Sequence, residues 1–296
     1  MTTRPGGSPR GSTAGLLELA TTMAVAAGRL LLGQGGRPEV VATKSSPTDV
    51  VTEADRAAEA LIRGLIGEAR PGDRILGEEG GETDGTAGEG AGAGGKSRVR
   101  WIVDPLDGTV NYLYGLPDWA VSIAAEADGT VVAGAVFVPR RDELFSAALG
   151  GGAWLSRGAL DPRGGDAPQP VRLACNTGVR LDRALVATGF GYEAGRRLIQ
   201  GEVLAGVLPR VRDIRRGGSA AVDLCSVASG SVDAYYERGV NLWDIAAGGL
   251  IAAEAGAQVT GLHGQPASSL MTVAAAPPLL GELHDLLASL DPERDG

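Results

Sequence analysis

The sequence predicts a mixed α/β protein with an α+β N-terminal half and an α/β C-terminal half. Three segments in the middle of the chain alternate or run apolar, as strands do: residues 119–126, 130–138 and 143–148. The Asp128-Gly129 pair between the first two is typical of a tight hairpin turn, so these segments predict an antiparallel sheet. Farther on, short strands such as 184–188 alternate with helices such as 194–208, which is typical of an α/β arrangement.

The N-terminal end has two parts of different composition. Residues 1–14 are rich in Gly, Ser, Pro and Thr and predict a disordered tail. The apolar residues from Leu16 to Leu32 recur at helical spacing and predict an amphipathic core helix. Because Glu18 and Arg29 interrupt this segment and a basic start is missing, it does not have the pattern of a signal peptide. We therefore expect a cytoplasmic protein that does not bind a membrane.

A second helix is predicted from Thr52 onwards. Thr52 and Asp55 have the spacing of a capping box, and apolar residues follow at i, i+4 spacing. Two short buried strands come next, at 75–77 and 101–103, and Pro105 is expected to end the second one. Between them, the Gly- and Ala-rich residues 80–95 predict a flexible surface insert. A loop of this length adds little to the entropic cost of loop closure.

The Gly- and Pro-rich segment from Asp161 to Pro170 predicts a junction between two domains. The expected N-terminal domain covers residues 15–165 and the expected C-terminal domain covers 166–296. Further elements of the second domain are predicted at strand 232–236 and at helices 219–229 and 244–255. We expect the functional site in the cleft between the two domains.

Charge and cysteine content narrow the class of protein. The 296 residues include 27 Lys and Arg against 36 Asp and Glu, a formal net charge of −9. This balance argues against general affinity for nucleic acid or for anionic membranes. Cys175 and Cys225 give no disulfide framework, and buried free thiols in a reducing compartment are the simplest interpretation.

Two carboxylates follow the strand at 101–103 and suggest a metal site. Asp104 and Asp107 are three residues apart, and the Leu106 carbonyl lies between them. Hard divalent cations prefer such oxygen ligands. Gly108 allows close backbone approach, and Thr109 supplies a hydroxyl. An ordinary Asx-type turn fits the same residues, and the spacing alone does not separate the two interpretations.

Acidic residues also stand at two other element ends. Glu78 and Glu79 follow the strand at 75–77, and Asp244 begins the helix at 244–255. A solvated loop would explain the glutamates, and a helix N-cap would explain Asp244. Taken one at a time, these simpler interpretations are favoured.

Together, these motifs resemble the inositol monophosphatases, a family of magnesium-dependent, lithium-sensitive phosphomonoesterases. The matching segments are GEE at 77–79, WIVDPLDGTVNY at 101–112, WDIAAGGLIAAEAGA at 243–257, KSSPTDVVTEAD at 44–55 and RRGGSAAVDLCSVASGSVDAYYERG at 215–239. The resemblance covers nearly the whole chain after about residue 15. It implies a layered αβαβα sandwich of the sugar-phosphatase type.

The resemblance also implies roles for individual residues. Glu78, Asp104 and the Leu106 carbonyl would bind a first Mg²⁺ ion, and Asp104, Asp107 and Asp244 a second. A third, weaker ion is expected near Glu78, which gives two to three ions. Such a site needs no protein nucleophile. This agrees with a chain whose only histidine besides His263 is His284, close to the C-terminal end, where the family places no catalytic residue.

The implied catalytic residues are Asp55, Thr109 and Glu78, with Asp55 and Thr109 orienting and helping to deprotonate the attacking water. On spacing alone, the capping role of Asp55 is favoured. The amides of Gly108 and Thr109 would face the phosphate if they open a short helix. The resemblance implies that the alcohol part of the phosphate ester is bound by Asp107, Gly218, Ser219, Ala220 and Glu237. A surface glutamate leaving a strand remains the alternative for Glu237.

Three functions remain open. The preferred one is hydrolysis of inositol-1-phosphate or another sugar phosphate. Within the same chemistry, the rivals are phosphatases for fructose 1,6-bisphosphate, histidinol phosphate or an adenosine bisphosphate. A binding or regulatory partner with secondary catalysis is the third. The expected partner is a small phosphate ester, and a homodimer is expected by analogy with the family.

Overall fold

The computed structural model describes residues 12–34, 40–43, 50–85, 99–160 and 169–294. Within these ranges the helices are α1 (Thr13–Gly33), α2 (Glu53–Ala69), α3 (Thr109–Tyr114), α4 (Ala194–Val207), α5 (Ala220–Ala228), α6 (Leu242–Glu254) and α7 (Pro277–Ser289). The strands are β1 (Val40–Thr43), β2 (Val50–Thr52), β3 (Arg74–Gly77), β4 (Gly81–Thr83), β5 (Val99–Asp107), β6 (Ala120–Ala127), β7 (Thr130–Val138), β8 (Glu143–Ala148), β9 (Gly152–Arg157), β10 (Val171–Arg172), β11 (Leu185–Thr188), β12 (Asp213–Arg215), β13 (Ala234–Glu237), β14 (Gln258–Thr260) and β15 (Thr272–Ala275). The predicted tail up to residue 11, residues 161–168 of the predicted junction and residues 86–95 of the predicted insert lie outside the described residues.

Two large sheets organise the described part of the chain. The first has eight strands in the order β10-β9-β8-β7-β6-β5-β3-β4, and the second has five in the order β12-β11-β13-β15-β14. Strands β5 to β9 form the predicted antiparallel sheet. Asp128 and Gly129 have φ values of 50° and 80°, as the predicted hairpin turn requires. The second sheet is mixed, because β11 pairs in parallel with β12 and β13 while β15 is antiparallel to its neighbours.

Alternating side chains bury both faces of each sheet and divide the molecule into five layers. Trp101 and Val103 of β5 pack with α1 and α2, whereas Ile102 points to the opposite core with α5 and α6. Tyr235 of β13 joins that central core, and its neighbour Tyr236 packs with α4 and α7. The order is therefore helix, sheet, helix, sheet, helix, which confirms the expected αβαβα sandwich.

Helix α1 is a core element of the first helical layer. By length and composition, it is the one helix in the described residues that could cross a membrane. Its apolar face is buried against β6 and β7 through residues such as Leu16, Met23 and Leu31. A Cβ on Gly28 would lie 2.5 Å from the Phe137 ring, so α1 approaches the sheet closely.

Three sequence predictions need correction. Strand β5 does not end before Pro105 but continues to Asp107, because the register to β6 shifts between Asp104 and Asp107 and no ladder bond from Pro105 is required. The insert predicted from residue 80 includes β4, which pairs with β3. Helix α1 begins at Thr13, capped by Ser12, so the expected tail reaching residue 14 is too long.

Candidate active site

One cavity of about 350 Å³ brings together the residues that the sequence singled out. Ten of them line it: Glu78, Asp104, Leu106, Asp107, Gly108, Thr109, Gly218, Ala220, Glu237 and Asp244. The other two, Asp55 and Ser219, hydrogen-bond to lining residues. The lining comes from both sheets and from the starts of α3, α5 and α6. Residues far apart in sequence therefore share one pocket.

Two carboxylates at the irregular end of β5 have different hydrogen-bond partners. Asp104 Oδ1 accepts a hydrogen bond of 3.0 Å from the Leu106 amide, closing a local turn. Asp107 Oδ2 accepts bonds of 2.6 Å from Ser219 Oγ and 2.7 Å from the Ala221 amide. Because α5 begins at Ala220, Asp107 also satisfies a free amide at the start of that helix.

Glu78 and Asp244 reach the same cavity from two other elements. Strands β3 and β5 are parallel neighbours, and the Glu78 amide donates to the Val103 carbonyl at 3.2 Å. Asp244 is the third residue of α6, and its Oδ2 accepts from the Asn241 amide at 2.6 Å in a capping box. Asn241, rather than Asp244, is the N-cap. The predicted cap role of Asp244 is therefore wrong in position, although its carboxylate does help to close the helix start.

The electrostatics of the pocket reflect crowding of negative charge. Burial, together with the charges of Glu78, Asp107 and Asp244, raises the pKa of Asp104 well above its usual range. Burial and the charges of Asp107 and Glu78 likewise raise the pKa of Asp244. Burial raises the pKa of Asp107 to about 6, against hydrogen bonds from Ser219 and Ala221 that lower it. Each carboxylate thus lacks a sufficient counter-charge.

This donor set fits hard divalent cations by its chemistry. Oxygen ligands, several of them anionic, are what such ions prefer, and a bound cation would reverse the mutual repulsion of the acids. Across the described ranges, no three His, Cys, Asp or Glu side chains are spaced as a complete metal-ligand set.

Asp55 combines the two roles that its sequence pattern left open. Its Oδ2 accepts from the Thr52 amide at 2.8 Å and from the Thr52 hydroxyl, which completes the predicted capping box. Its Oδ1 accepts a 3.1 Å hydrogen bond from Thr109 Oγ1, which also lies 3.1 Å from the Leu106 carbonyl. Capping fixes the carboxylate, and the second oxygen remains available for Thr109.

Gly108 sets the distance between the acidic turn and the neighbouring loop. Its φ is 92°, a left-handed conformation that favours glycine. An added Cβ would lie 3.0 Å from the Asp118 carbonyl and 3.3 Å from the Gly218 carbonyl. The short helix α3 begins at Thr109 with Gly108 as its N-cap, so these two residues open the helix as expected.

Glu237 ends β13 on the opposite side of the cavity. Its Oε2 accepts a 3.0 Å hydrogen bond from the Tyr235 hydroxyl, and burial raises its pKa to about 7. A Cβ on Gly189 would overlap the Glu237 carboxylate, so glycine at that position leaves room for it. Glu237 is therefore a half-buried cavity residue and not the solvated surface glutamate of the alternative interpretation.

Sequence reasoning missed several residues at this cavity. Arg216 lines it, and its positive charge lowers the pKa of both Asp107 and Glu237. The sequence motif at 215–239 contains Arg216, but its position there did not mark it as a site residue. Arg196 of α4 also lines the cavity, but an arginine in the first turn of a helix gives no functional signal. Asp223 of α5 does not line the cavity; it is buried, and its Oδ2 has no hydrogen-bond partner among the residues that the structure describes.

Comparison with known proteins gives consistent matches over most of the chain. A sequence profile described as the inositol monophosphatase family matches residues 13–293. Inositol-1-monophosphatase SuhB of Mycobacterium tuberculosis is 50% identical over 254 residues, covering 84% of this chain and 81% of that protein. Nus factor SuhB of Escherichia coli is 38% identical over 251 residues, with coverages of 84% and 86%. The solved structure of Mycobacterium tuberculosis SuhB has a TM-score of 0.76 at 43% identity, covering 96% of this chain and 100% of that chain.

Proposed function

The chain belongs to the inositol monophosphatase family, and on that premise we propose that it hydrolyses inositol-1-phosphate or a related sugar phosphate with Mg²⁺. Members of this family are metal-dependent phosphatases that act on small phosphate esters. The observation that carries the finer proposal is the convergence of Glu78, Asp104, Asp107 and Asp244 on one cavity beside the Thr109–Asp55 pair.

The acidic residues are proposed to hold two to three Mg²⁺ ions. Glu78, Asp104 and the Leu106 carbonyl would serve the first ion, and Asp104, Asp107 and Asp244 the second. Bound ions would neutralise the phosphate charge and lower the pKa of water towards neutrality. The raised pKa values of Asp104, Asp107 and Asp244 support this assignment, because a cation is the counter-charge that these crowded acids lack.

Asp55 and Thr109 are proposed to position the attacking water. Thr109 Oγ1 would accept a hydrogen bond from the water while it donates its own proton to Asp55 Oδ1. The Thr52 amide and hydroxyl hold the other Asp55 oxygen, so the acceptor is fixed before substrate binds. The amides of Gly108 and Thr109 would contact the phosphate.

The alcohol half of the substrate is proposed to lie between Glu237 and the start of α5. Carboxylates accept hydrogen bonds from vicinal hydroxyls, and Asp107 and Glu237 both line the cavity. Arg216 supports this role, because its charge favours the ionised, accepting form of both groups. Gly218, Ser219 and Ala220 would complete the contact surface.

A substrate panel tests the proposal. Initial rates would be measured for inositol-1-phosphate, fructose 1,6-bisphosphate, histidinol phosphate and an adenosine bisphosphate, each with and without Mg²⁺ and Li⁺. The expected result is Mg²⁺-dependent, Li⁺-inhibited turnover, highest with inositol-1-phosphate. A higher kcat/KM for another ester would identify one of the rival phosphatases.

A second candidate function is binding to a regulatory partner, with catalysis secondary. The observation that favours it is the name Nus factor SuhB carried by relatives from Escherichia coli and Pasteurella multocida. A purified protein inactive on every ester in the panel with Mg²⁺ would favour this candidate. Homodimer formation, a cytoplasmic location and the division into domains at about residue 165 remain further parts of the proposal.

A further inference from the structure

We propose that Glu59 and Arg63, both on α2, are positioning residues that hold the turn carrying Glu78 in the conformation needed to bind metal. The inference rests on the proposed function, because it takes Glu78 as a metal ligand. Neither residue lines the cavity, and Glu59 hydrogen-bonds to the backbone of the two residues that follow Glu78.

Both carboxylate oxygens of Glu59 accept hydrogen bonds from the backbone of this turn. Oε2 accepts a 2.8 Å hydrogen bond from the Glu79 amide, and Oε1 accepts a 2.9 Å bond from the Gly80 amide. The side chain is only 4% exposed. A buried carboxylate bound to two successive amides fixes their direction, and with it the direction of the preceding residue, Glu78.

Arg63 hydrogen-bonds both to Glu59 and to the strand that follows the turn. Its Nε donates to Glu59 Oε1 at 2.6 Å, which supplies the counter-charge that a buried carboxylate needs. Its other nitrogens donate to the Gly81 carbonyl at 2.7 Å and to Thr83 Oγ1 at 2.8 Å. One ion pair therefore holds the turn and the strand that follows it, β4.

The glycines around Glu78 show how closely the ion pair fits the turn. A Cβ on Gly77 would lie 2.5 Å from Glu59 Oε1, and one on Gly80 would lie 2.7 Å from the same atom. Neither glycine has a left-handed backbone conformation. Their lack of a side chain is therefore explained by the contact with Glu59 and Arg63 and not by a turn geometry.

Helix α2 carries residues that contact both the Thr109 hydroxyl and the turn with Glu78, at the first proposed metal site. Asp55, which holds Thr109, is four residues before Glu59 and so lies on the same face of the helix. A single rigid helix thus fixes both the Thr109 hydroxyl and the Glu78 turn. Movement of either would change the distance between the proposed water-binding group and the proposed ligand.

The test compares Glu59→Gln with Gly80→Ala, which disturbs the same contact from its other side. Mg²⁺ binding is measured without substrate, by titration calorimetry and by the Mg²⁺-induced rise in Tm, and kcat is measured across Mg²⁺ concentrations. We expect each variant to weaken Mg²⁺ binding about tenfold to a hundredfold, as loss of residues behind metal ligands does. At saturating Mg²⁺, kcat should return to within about threefold of wild type.

Asp73→Asn is the matched control for a purely structural effect. Asp73 is also a buried carboxylate paired with an arginine, Arg70, and it accepts a 2.9 Å bond from Trp101 Nε1, yet it lies outside the cavity. This variant should lose stability but keep wild-type Mg²⁺ affinity. The proposal is overturned if Glu59→Gln and Gly80→Ala lower Tm as the control does while Mg²⁺ affinity stays within twofold of wild type. If Glu59→Gln does not fold, Gly80→Ala decides alone.

Failure of the proposed function gives a different result. A wild-type protein that binds Mg²⁺ but hydrolyses no ester contradicts the phosphatase assignment, and the binding titrations still test the positioning role. A wild-type protein that binds no Mg²⁺ overturns both proposals. The double variant Glu59→Ala/Gly80→Ala adds a check. Removing the Glu59 side chain leaves space for the methyl group at position 80, so Gly80→Ala should lower Mg²⁺ affinity much less in this background than in the wild-type protein.

Discussion

Ser219 donates a 2.6 Å hydrogen bond to Asp107 Oδ2, and this bond joins the acidic turn of the first sheet to the helix that leads into the second. The same Ser219 hydroxyl accepts from the Val222 amide at 3.2 Å as the N-cap of α5. One side chain thus stabilises a helix start and orients a proposed metal ligand.

Ser219→Ala should separate these two effects. Loss of the N-cap is expected to cost about 1 kcal/mol of unfolding free energy. Loss of the bond to Asp107 should also raise the pKa of that carboxylate further, because Ser219 lowers it in the wild-type protein. The acidic limb of the kcat/KM profile should therefore move to higher pH at limiting Mg²⁺. A profile unchanged from wild type would show that the bond does not tune Asp107.

Asp104→Asn should lower turnover by orders of magnitude and leave the fold intact. The physical reason is that both proposed ions share this carboxylate. Without Mg²⁺, the variant should unfold at the same temperature as wild type or higher, because Asp104 is repelled by three neighbouring acids. Activity would be measured at limiting Mg²⁺ and thermal unfolding in EDTA. Near-normal activity at limiting Mg²⁺ would contradict the metal assignment.

Stability should fall more steeply with rising pH in the absence of Mg²⁺ than in its presence. Burial raises the pKa of Asp107 from 3.8 to about 6, so the folded state binds a proton more tightly than the unfolded state. Its contribution is present below the unfolded pKa and is lost as pH rises through about 6, which amounts to roughly 3 kcal/mol. Asp104 and Asp244 act in the same direction.

In EDTA, Tm should therefore fall between pH 5 and pH 7.5 by more than it does in saturating Mg²⁺. The ion replaces the proton as the counter-charge of these acids, so added Mg²⁺ should stabilise the protein more at the higher pH. Thermal unfolding at both pH values would measure this. Equal slopes with and without Mg²⁺ would mean that the acids are not its ligands.

Glu237→Gln should change substrate choice more than turnover. The amide retains the size of the side chain but cannot accept hydrogen bonds with both of its terminal atoms. We expect KM for inositol-1-phosphate to rise more than kcat falls, and the order of esters in the panel to shift. Tyr235→Phe serves as a control that removes the 3.0 Å bond to Glu237 without removing the carboxylate. An unchanged substrate order would place Glu237 outside the binding surface.

Local patterns predicted the parts of this protein that depend on neighbouring residues. The Asp128-Gly129 turn, the Thr52–Asp55 capping box and the antiparallel strands 119–148 follow from short-range sterics and hydrogen bonding. The prediction that Pro105 ends its strand was wrong, because the rule that proline interrupts a strand did not hold here. The bulge in β5 lets the strand continue where proline has no amide to donate.

The sequence by itself determined the family resemblance, the mixed α/β class and the acidic residues at strand and helix ends, because each follows from contiguous motifs or local patterns; the layered sandwich was only what the resemblance implied. Only the tertiary structure decided which side chains meet. Ser219 and Asp107 are 112 residues apart in sequence, and the Glu79 amide is 20 residues from Glu59. The positions of Arg216 and Arg196 at the cavity likewise depend on how helices pack on sheets. Contacts of this kind arise from long-range packing, for which a single sequence carries no local signal.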